Sequence, residues 1–344
     1  MNLLFSCIGK RGYLAEFFRP GLTTDDRIVG TSNTEWTPSF RCCDTSYLLP
    51  DIDDDDYLPA VKEVCQRERI DALFSCFDPD VHRLSSHLEE LREVGVTPVV
   101  PTPEVADVCF DKYATYSFLR RHGISTATTF IDLASARRAI RDGDLAFPVY
   151  VKPRRGFGSR NTFLARNELQ LEAFFHYESD MVVQERLVGE ALNVDMLNDL
   201  SGRVVSVVLW RKLLSRLGET EQAITCHRDD VLEFAEHLGN LLGNIGPLDA
   251  DLFVDDRGVH VLELNPRFGG GYPVSHLAGA DFPGQILRML RGQAVEPRIG
   301  DYTDGVVMMK DNLVVGGERA DYFQSVNLRN LREADRFDQT TLSS

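Results

Sequence analysis

Along the first hundred residues, short apolar runs alternate with segments of helical period. Residues 3–8 read as a buried strand, followed by a glycine-containing turn and a helix-like segment over 13–18. Residues 28–30 and 72–76 read as further strands, and 80–94 as a helix leading into an apolar run over 96–100. Strands separated by helices predict an α/β unit with a parallel sheet. Pro98, Pro101 and Pro103 punctuate the passage to the next segment. Beyond them the pattern predicts a helix over 111–122 stopped by Gly123, a strand over 147–152, a helix over 168–177 and a strand over 181–185. A strand over 204–210 and a helix over 229–242 follow. Apolar runs over 250–254 and 259–264 flank Asp255-Asp256-Arg257-Gly258, a strong turn signal, and so predict a hairpin. Residues 319–344 are polar and are expected to form a loosely held tail. The chain shows no internal repeat.

Composition narrows the field. A length of 344 residues accommodates two or three domains, and 43% hydrophobic with 26% charged residues excludes general disorder and a small disulfide scaffold. The 53 acidic residues outnumber the 37 basic ones, giving a net charge of −16. Most of such a surface repels a phosphate backbone, so no nucleic-acid partner is expected, although a local basic pocket for a small phosphate ligand is allowed. The seven cysteines are odd in number and form no C-x-x-C pair, which predicts reduced thiols and a cytoplasmic setting. No apolar run approaches the roughly 20 residues that span a bilayer, so no membrane partner is expected. The run over 51–56 holds five aspartates and reads as a solvated loop, because adjacent charges cannot all face one ion.

The strongest chemical signal lies in residues 261–271, Val-Leu-Glu-Leu-Asn-Pro-Arg-Phe-Gly-Gly-Gly. In a strand, Glu263 and Asn265 are two apart and project from the same face. Asp251, on the preceding hairpin strand, supplies a third oxygen. Three oxygen ligands suit Mg²⁺ (or Mn²⁺), which shares its sphere with waters and substrate phosphates. Arg267 then enters a glycine-rich turn where a guanidinium can hold a phosphate or a developing acyl phosphate. The plainer alternative is a hairpin with ordinary exposed polar residues. The second signal spans 147–161, where an apolar strand delivers Lys152 into a loop with Gly156, Gly158 and Ser159. Such loops bring backbone N–H groups to phosphate oxygens, while Lys152 adds a point charge. The G-x-x-x-x-G-K-[ST] arrangement is absent, which disfavours a P-loop. Alone, the loop is equally a flexible turn; with the magnesium candidates it favours a nucleoside triphosphate site. Gly9-Lys10-Arg11-Gly12 reads as a structural turn, and Asp78 and Asp80 as acids at a helix start. His276, near the glycine run, is either an acceptor-pocket or a surface histidine.

Taken together, these motifs resemble the ATP-grasp superfamily, and within it the carboxylate–amine ligases similar to the carbamoyl-phosphate synthase large subunit and biotin carboxylase. The resemblance runs from near the first residue to about residue 315. Asp111-Lys112, within Cys-Phe-Asp-Lys-Tyr-Ala-Thr-Tyr, matches the start of the family's central domain. It implies an α/β fold with a Rossmann-like pre-ATP-grasp domain over 1–105 and a central lid subdomain over 106–190. A C-terminal subdomain with the metal site would cover 191–318, ahead of the polar tail over 319–344. By resemblance, Lys112 and Lys152 go to the ATP phosphates, and the loop 156–161, with Gly156, Gly158 and Ser159, is the lid over them. Residues 182–190 look like the hinge, where the backbone around Glu185 and Leu187 pairs with the adenine edge and Glu190 takes the ribose hydroxyls. Ala191 stands where relatives often place a second acid. Residues 211–220 resemble a segment near the acceptor site, whose cations Arg211, Lys212 and Arg216 would bind the substrate carboxylate or the transferred phosphate. The resemblance assigns Asp251 and Glu263 to magnesium, has Asn265 assist, and gives Arg267 the acyl phosphate. Asp251 is a shorter arm than the glutamate or glutamine common at that position. The implied activity is ATP-dependent ligation: a small carboxylate is activated as an acyl phosphate and coupled to an amine, often an amino acid, with release of ADP and phosphate. A homodimer is a possible assembly. Two alternatives stay open: a bicarbonate-using, carboxylating or carbamoyl-phosphate-forming enzyme of the same fold, and a nucleotide-binding regulator without turnover.

Overall fold

Strands that lack polar alternation are covered on both faces. The first apolar runs behave this way: β1 (Asn2–Ser6), β2 (Arg27–Ser32), β3 (Thr45–Leu48) and β4 (Ala72–Ser75) are buried almost throughout. The computed structural model describes residues 1–216, 218–311 and 314–331. In it these strands, β5 (Thr97–Pro98) and a late strand, Leu328–Asn330, form one six-stranded sheet. The order is Leu328–Asn330, β3, β2, β1, β4, β5, and every neighbouring pair is parallel. Helices α1 (Gly12–Phe18), α2 (Tyr57–Arg67), α3 (Asp78–Ser85) and α4 (Leu88–Glu93) lie between the strands in sequence. Leu58, Val61 and Val64 of α2 share a core cluster with Leu4, Val29 and Leu73 of the sheet.

Two expectations change here. The helix expected over 80–94 is two helices, broken at Ser86 and His87. The Ser86 hydroxyl donates to the His82 carbonyl at 3.2 Å, an alternative to continued helix that serine commonly offers. The polar stretch from 319, expected as a loose tail, carries the helix Arg319–Ser325 and the strand Leu328–Asn330. That strand pairs with the otherwise open edge of β3, which satisfies backbone groups the edge would leave bare. Residues 332–344 of the expected tail lie outside the described residues.

Strand order reverses between β1 and β4. At their carboxyl ends Asp80, expected as a helix-start acid, is fully buried. It accepts hydrogen bonds from Tyr57 Oη at 2.5 Å and Ser75 Oγ at 2.7 Å. Burial pushes its pKa up against those donors. The network ties α2, α3 and β4 together.

The described residues group into two compact units: residues 1–103 with 281–296 and the described residues from 311 on, and residues 104–280 with 297–310. The helix Phe282–Leu290 thus lies in the first unit, although the sequence reading runs the C-terminal subdomain through to 318. The second unit begins in the helix Pro103–Phe110, which is followed by α5 (Lys112–Arg121), capped by Asp111, whose carboxylate accepts from the N–H groups of Tyr113 and Ala114. It continues with β6 (Thr129–Phe130), α6 (Leu133–Asp142), β7 (Val149–Pro153), β8 (Phe163–Ala165), α7 (Glu168–Phe175) and β9 (Met181–Glu185). The four strands form an antiparallel sheet ordered β6, β9, β7, β8.

A larger antiparallel sheet follows. Its strands β10 (Glu190–Asn198), β11 (Val204–Arg216) and β12 (Glu219–Thr225) precede helix α8 (Asp229–Leu242). The expected hairpin follows as β13 (Gly246–Asp255) and β14 (Gly258–Asn265). The order is β14, β13, β10, β11, β12, then the short strand Val307–Met309. Alternation sorts the two faces. Leu192, Val194 and Met196 of β10, Leu248, Ala250 and Leu252 of β13, and Leu264 of β14 pack with Val231, Ala235 and Leu238 of α8. The intervening residues face the other way, and they are polar. Among the described residues no helix is long and apolar enough to cross a membrane.

Candidate active site

Register turns that polar face into two transverse rows. Asn193 on β10 is the Cα partner of Asp251 on β13, which is the partner of Glu263 on β14. Two residues further along each strand, Asp195 partners Asp249, which partners Asn265. Strand partners share a face, so Asp251 and Glu263 stand side by side as the sequence spacing implies.

Each carboxylate of the first row meets a lysine. Lys152, buried near the end of β7, donates to Glu263 Oε1 at 2.7 Å. Lys212 of β11 lies 3.4 Å from Asp251 Oδ1, and Asn193 Nδ2 donates to the same oxygen at 2.5 Å. Burial would raise the Glu263 pKa, but Lys152, Lys112 and Lys212 outweigh it and hold it down to about 2. Burial would depress Lys212, yet Asp251, Asp249 and Glu263 hold its pKa above the ordinary lysine value. Glu263 is therefore ionised across the working pH range, as a metal ligand must be. Among the described residues no three His, Cys, Asp or Glu side chains gather as a metal cage. What the face offers is two carboxylates with an amide, Asn265, beside them. Such a hard, open oxygen set fits Mg²⁺, which keeps room for water and phosphate.

The second row is more deeply buried. Asp195 Oδ2 accepts from Trp210 Nε1 at 2.8 Å and Ser275 Oγ, on α9 (Tyr272–Leu277), at 2.6 Å. Asp249 Oδ2 accepts from Arg267 Nη1 at 3.3 Å and Asn265 Nδ2 at 3.4 Å. Burial, reinforced by neighbouring carboxylates, pushes Asp195 up to about 8 and Asp249 up to about 6. The glycines after Arg267 permit this packing. A Cβ on Gly271 would fall 2.1 Å from the Trp210 ring, and one on Gly269 would fall 2.9 Å from Asp195 Oδ1. Asp195, Asp249, Asn193 and Trp210 escaped the sequence reading. Their signal was alternation: Asn193 and Asp195 interrupt an apolar strand two apart, as Asp249 and Asp251 do.

The loop after β7 is anchored from its base. Arg154 makes a bidentate contact to Asp111 at 2.7–2.9 Å, and Arg155 reaches the same carboxylate at 3.2 Å. Burial raises the Asp111 pKa, but the Arg154 guanidinium and the helix N–H groups bring it below the usual carboxylate range. Lys112 Nζ donates to the Gly156 carbonyl at 3.0 Å. Gly158, Ser159 and Asn161 have φ of 61°, 55° and 50°, a left-handed run that turns the loop back. Gly218, just past β11, packs against the Gly158 backbone so closely that a Cβ there would fall 2.8 Å away. Arg216 is exposed at this hairpin tip, and the β11 cation that reaches the carboxylate rows is Lys212. Glu185 donates its N–H to the Thr128 carbonyl at 2.8 Å and accepts on Oε2 from Thr128 Oγ1 at 3.0 Å. Leu187 beyond it is buried. Glu190 meets Arg211 at 2.5 Å and Arg228 at 3.6 Å. His276 lies on α9 with its Nδ1 3.4 Å from Tyr272 Oη.

Comparison with known proteins bears on this arrangement. Residues 3–99 match the family described as the PylC-like N-terminal domain, and residues 109–271 match the ATP-grasp domain. The arginine-specific carbamoyl phosphate synthase large chain of Bacillus subtilis is 21% identical over 223 residues, covering 60% of this chain and 22% of that protein. The chain therefore spans about a fifth of the length of the curated relatives it matches. Among solved structures, the biotin carboxylase domain of Hydrogenobacter thermophilus 2-oxoglutarate carboxylase, in complex with MgADP and bicarbonate, has a TM-score of 0.72 at 16% identity. It covers 89% of this chain and 73% of that one. An L-amino acid ligase from Bacillus licheniformis has a TM-score of 0.64 at 20% identity, over 84% of this chain and 74% of its own. These likenesses show a shared fold.

Proposed function

We propose, from the premise that this chain carries an ATP-grasp domain over residues 109–271 behind a PylC-like N-terminal domain, that it is an ATP-dependent carboxylate–amine ligase. The observation that carries the reading is the row Asp251–Glu263 with Asn265 beside it and Lys152 already 2.7 Å from Glu263. In the first step a substrate carboxylate oxygen bonds to the γ-phosphorus, and the bond from that phosphorus to the ADP oxygen breaks. Lys112 and Lys152 hold the phosphates. Mg²⁺, held by Asp251, Glu263 and Asn265, would offset the charge on the transferred group. Arg267 stabilises the acyl phosphate that results. In the second step a neutral amine nitrogen attacks the acyl carbon, the bond from that carbon to the phosphate oxygen breaks, and the nitrogen gives up a proton to the leaving phosphate as the amide forms. The loop 156–161 closes over the phosphates and keeps water from the acyl phosphate, with Gly156, Gly158 and Ser159 offering N–H groups. The carbonyl of Glu185 and the backbone of Leu187 take the adenine edge, since the Glu185 N–H is engaged by Thr128. Glu190 takes the ribose hydroxyls. Arg216, beside the loop, meets the transferred phosphate on closure.

The test is ADP release from MgATP over paired amino acids and small carboxylates, with mass detection of product. Wild-type protein should release ADP only when acid and amine are both present. Glu263→Gln should be folded and slower by roughly a hundredfold or more. Full turnover in Glu263→Gln would remove the basis of the assignment. Likeness to the carbamoyl phosphate synthase large chains favours a second reading, in which bicarbonate is the acid. ADP release stimulated by bicarbonate with no amino acid present selects that reading. ATP binding without phosphate release in any acid–amine pool selects a regulator instead.

A further inference from the structure

We infer that Ser125, His260 and Asp255 form a second catalytic centre, in which the serine takes the acyl group of a carboxylic ester without any nucleotide. The three side chains are linked in one chain of hydrogen bonds. Ser125 Oγ lies 2.7 Å from His260 Nδ1, and His260 Nε2 lies 2.8 Å from Asp255 Oδ1. A hydroxyl, a base within reach of it and an acid that orients the base are the parts that activate a serine. They are recognised by geometry and role, not by order in the sequence. Local structure brings them together. His260 on β14 is the register partner of Phe253, and Asp255, two residues further along β13, shares their face. Ser125 arrives because the segment after α5 runs beside β14. There Val261 donates its N–H to the Ser125 carbonyl at 2.9 Å, and Thr126 Oγ1 donates to the Val261 carbonyl at 2.8 Å.

Each member suits its role. Arg257 fixes the Asp255 carboxylate, with Nε 3.0 Å and Nη2 2.8 Å from Oδ2. Arg257 and His260 together hold its pKa well below the usual carboxylate range. An ionised carboxylate only accepts hydrogen bonds. His260 Nε2 therefore carries the ring proton, and Nδ1 of the neutral ring turns its lone pair to the Ser125 hydroxyl. The imidazole is 5% exposed and so held in place, whereas Ser125 is exposed to reactants. The approach is clear on both flanks: a Cβ on Gly123 or on Gly258 would stand in open space. Among the described residues the Ser125 N–H meets no acceptor, which leaves it for an oxyanion. His87 and His227 also meet carboxylates, Glu90 and Asp229, but their second ring nitrogens meet no serine among the described residues.

In acylation the Ser125 oxygen bonds to the ester carbon, its proton passes to His260 Nδ1, and the carbon–alkoxide bond breaks as the alcohol takes that proton. In deacylation a water oxygen bonds to the acyl carbon and its proton passes to Nδ1. The bond to the Ser125 oxygen then breaks, the serine takes the proton back, and the carboxylic acid departs. Hydrogen bonds stabilise an oxyanion less beside solvent than in a closed, low-dielectric site. The substrate class is therefore esters with good leaving groups rather than amides.

The experiment treats the full chain, free of nucleotide, with p-nitrophenyl acetate. Release of p-nitrophenol is followed by absorbance, and acid-quenched samples are digested and mapped by mass spectrometry. Wild type should carry an acetyl group on Ser125 and release p-nitrophenol faster than buffer alone. Ser125→Ala should lose that label and at least about tenfold of the protein-dependent rate. His260→Gln should slow acetylation of Ser125 by a similar factor. The label on wild type needs no variant, so a His260→Gln protein that fails to fold does not remove the test. Acetyl groups found on lysines but not on Ser125 overturn the inference, as does a rate unchanged in Ser125→Ala. A labelled Ser125 with the same acetylation rate in folded His260→Gln overturns the role of the histidine and the centre with it. The reaction contains no ATP, so each of these failures is separate from failure of the ligase reading.

Discussion

Replacing Arg267 by methionine keeps the aliphatic length and removes the guanidinium that reaches Asp249 at 3.3 Å. Both side chains are deeply buried, 11% and 9% exposed, so solvent screens the contact weakly. At that separation and an effective dielectric near 20, the attraction is about 5 kcal/mol. Desolvation takes part of it back, and truncating one partner of a buried pair costs about 3–5 kcal/mol. The long contact places Arg267→Met near the lower end, about 3 kcal/mol. Most of that loss is the stranded Asp249 charge. Arg267→Met with Asp249→Asn should therefore recover part of it, with a coupling of about 1–3 kcal/mol. Urea denaturation of the four proteins at pH 8 and pH 5 measures this. Burial and the neighbouring Asp251 carboxylate push the Asp249 pKa up to about 6 in the folded chain. Its ionisation therefore lowers stability as pH rises from about 4 to 6. The Arg267 coupling should be present at pH 8 and mostly gone at pH 5. Catalysis gives the second readout. A contact made mainly as the acyl phosphate forms lowers the single-turnover rate by roughly a hundredfold and leaves ATP affinity within a few-fold. Lys152→Ala should do the reverse and weaken ATP binding. A coupling below about 0.5 kcal/mol refutes the electrostatic argument. Loss of ATP affinity with an unchanged single-turnover rate in Arg267→Met refutes the acyl-phosphate role.

Asp111→Asn preserves the cap of α5 and removes the charge that holds Arg154 and Arg155. It should cost about 1–2 kcal/mol at pH 7. Because the folded Asp111 pKa is depressed, its contribution is full above the ordinary carboxylate range and lost as pH falls. The variant and wild type should thus converge in stability by about pH 2 in acid titrations followed by circular dichroism, and a gap that persists there contradicts the account. Gly271→Ala forces a Cβ to 2.1 Å from the buried Trp210 ring and should destabilise by about 1–3 kcal/mol. Thermal denaturation checks it, and a melting point equal to wild type contradicts the packing described.

Wherever one local pattern implied one partner, the sequence was sufficient. The β13–β14 turn, the pairing of Asp251 with Glu263 and the delivery of Lys152 by a strand are short-range consequences of alternation and turn chemistry. The β10 strand carried the same alternation, with Leu192, Val194 and Met196 inward, yet the sequence reading assigned no element to residues 191–198. Without β10 the second row had no partner for Asp249, and two isolated aspartates do not announce a pair. Arg216 and Lys212 illustrate a different limit. Both lie on β11, but bulges between Lys212 and Leu214 and between Leu214 and Ser215 shift the register, and a bulge is not written in residue spacing. The parallel pairing of Leu328–Asn330 with β3 joins residues nearly three hundred positions apart, a separation no local window spans.

The lysines and acids of the first row constrain each other in a way that bears on the order of events. Lys152 is committed to Glu263 and Lys212 to Asp251. On the ligase reading the same Lys152 must serve a phosphate. Turning it away would deprive Glu263, half-buried with Lys112 and Lys212 in its field, of its nearest counter-charge. The exchange is inexpensive only if a cation reaches Glu263 as the phosphate takes Lys152. Nucleotide and metal are therefore expected to enter together, and the lysine–carboxylate contacts neutralise both charges of the row. Asp249 lies in the field of Lys212 as well as that of Arg267. Arg267 makes the direct contact to the second row, so that row keeps its counter-charge when a phosphate takes Lys152.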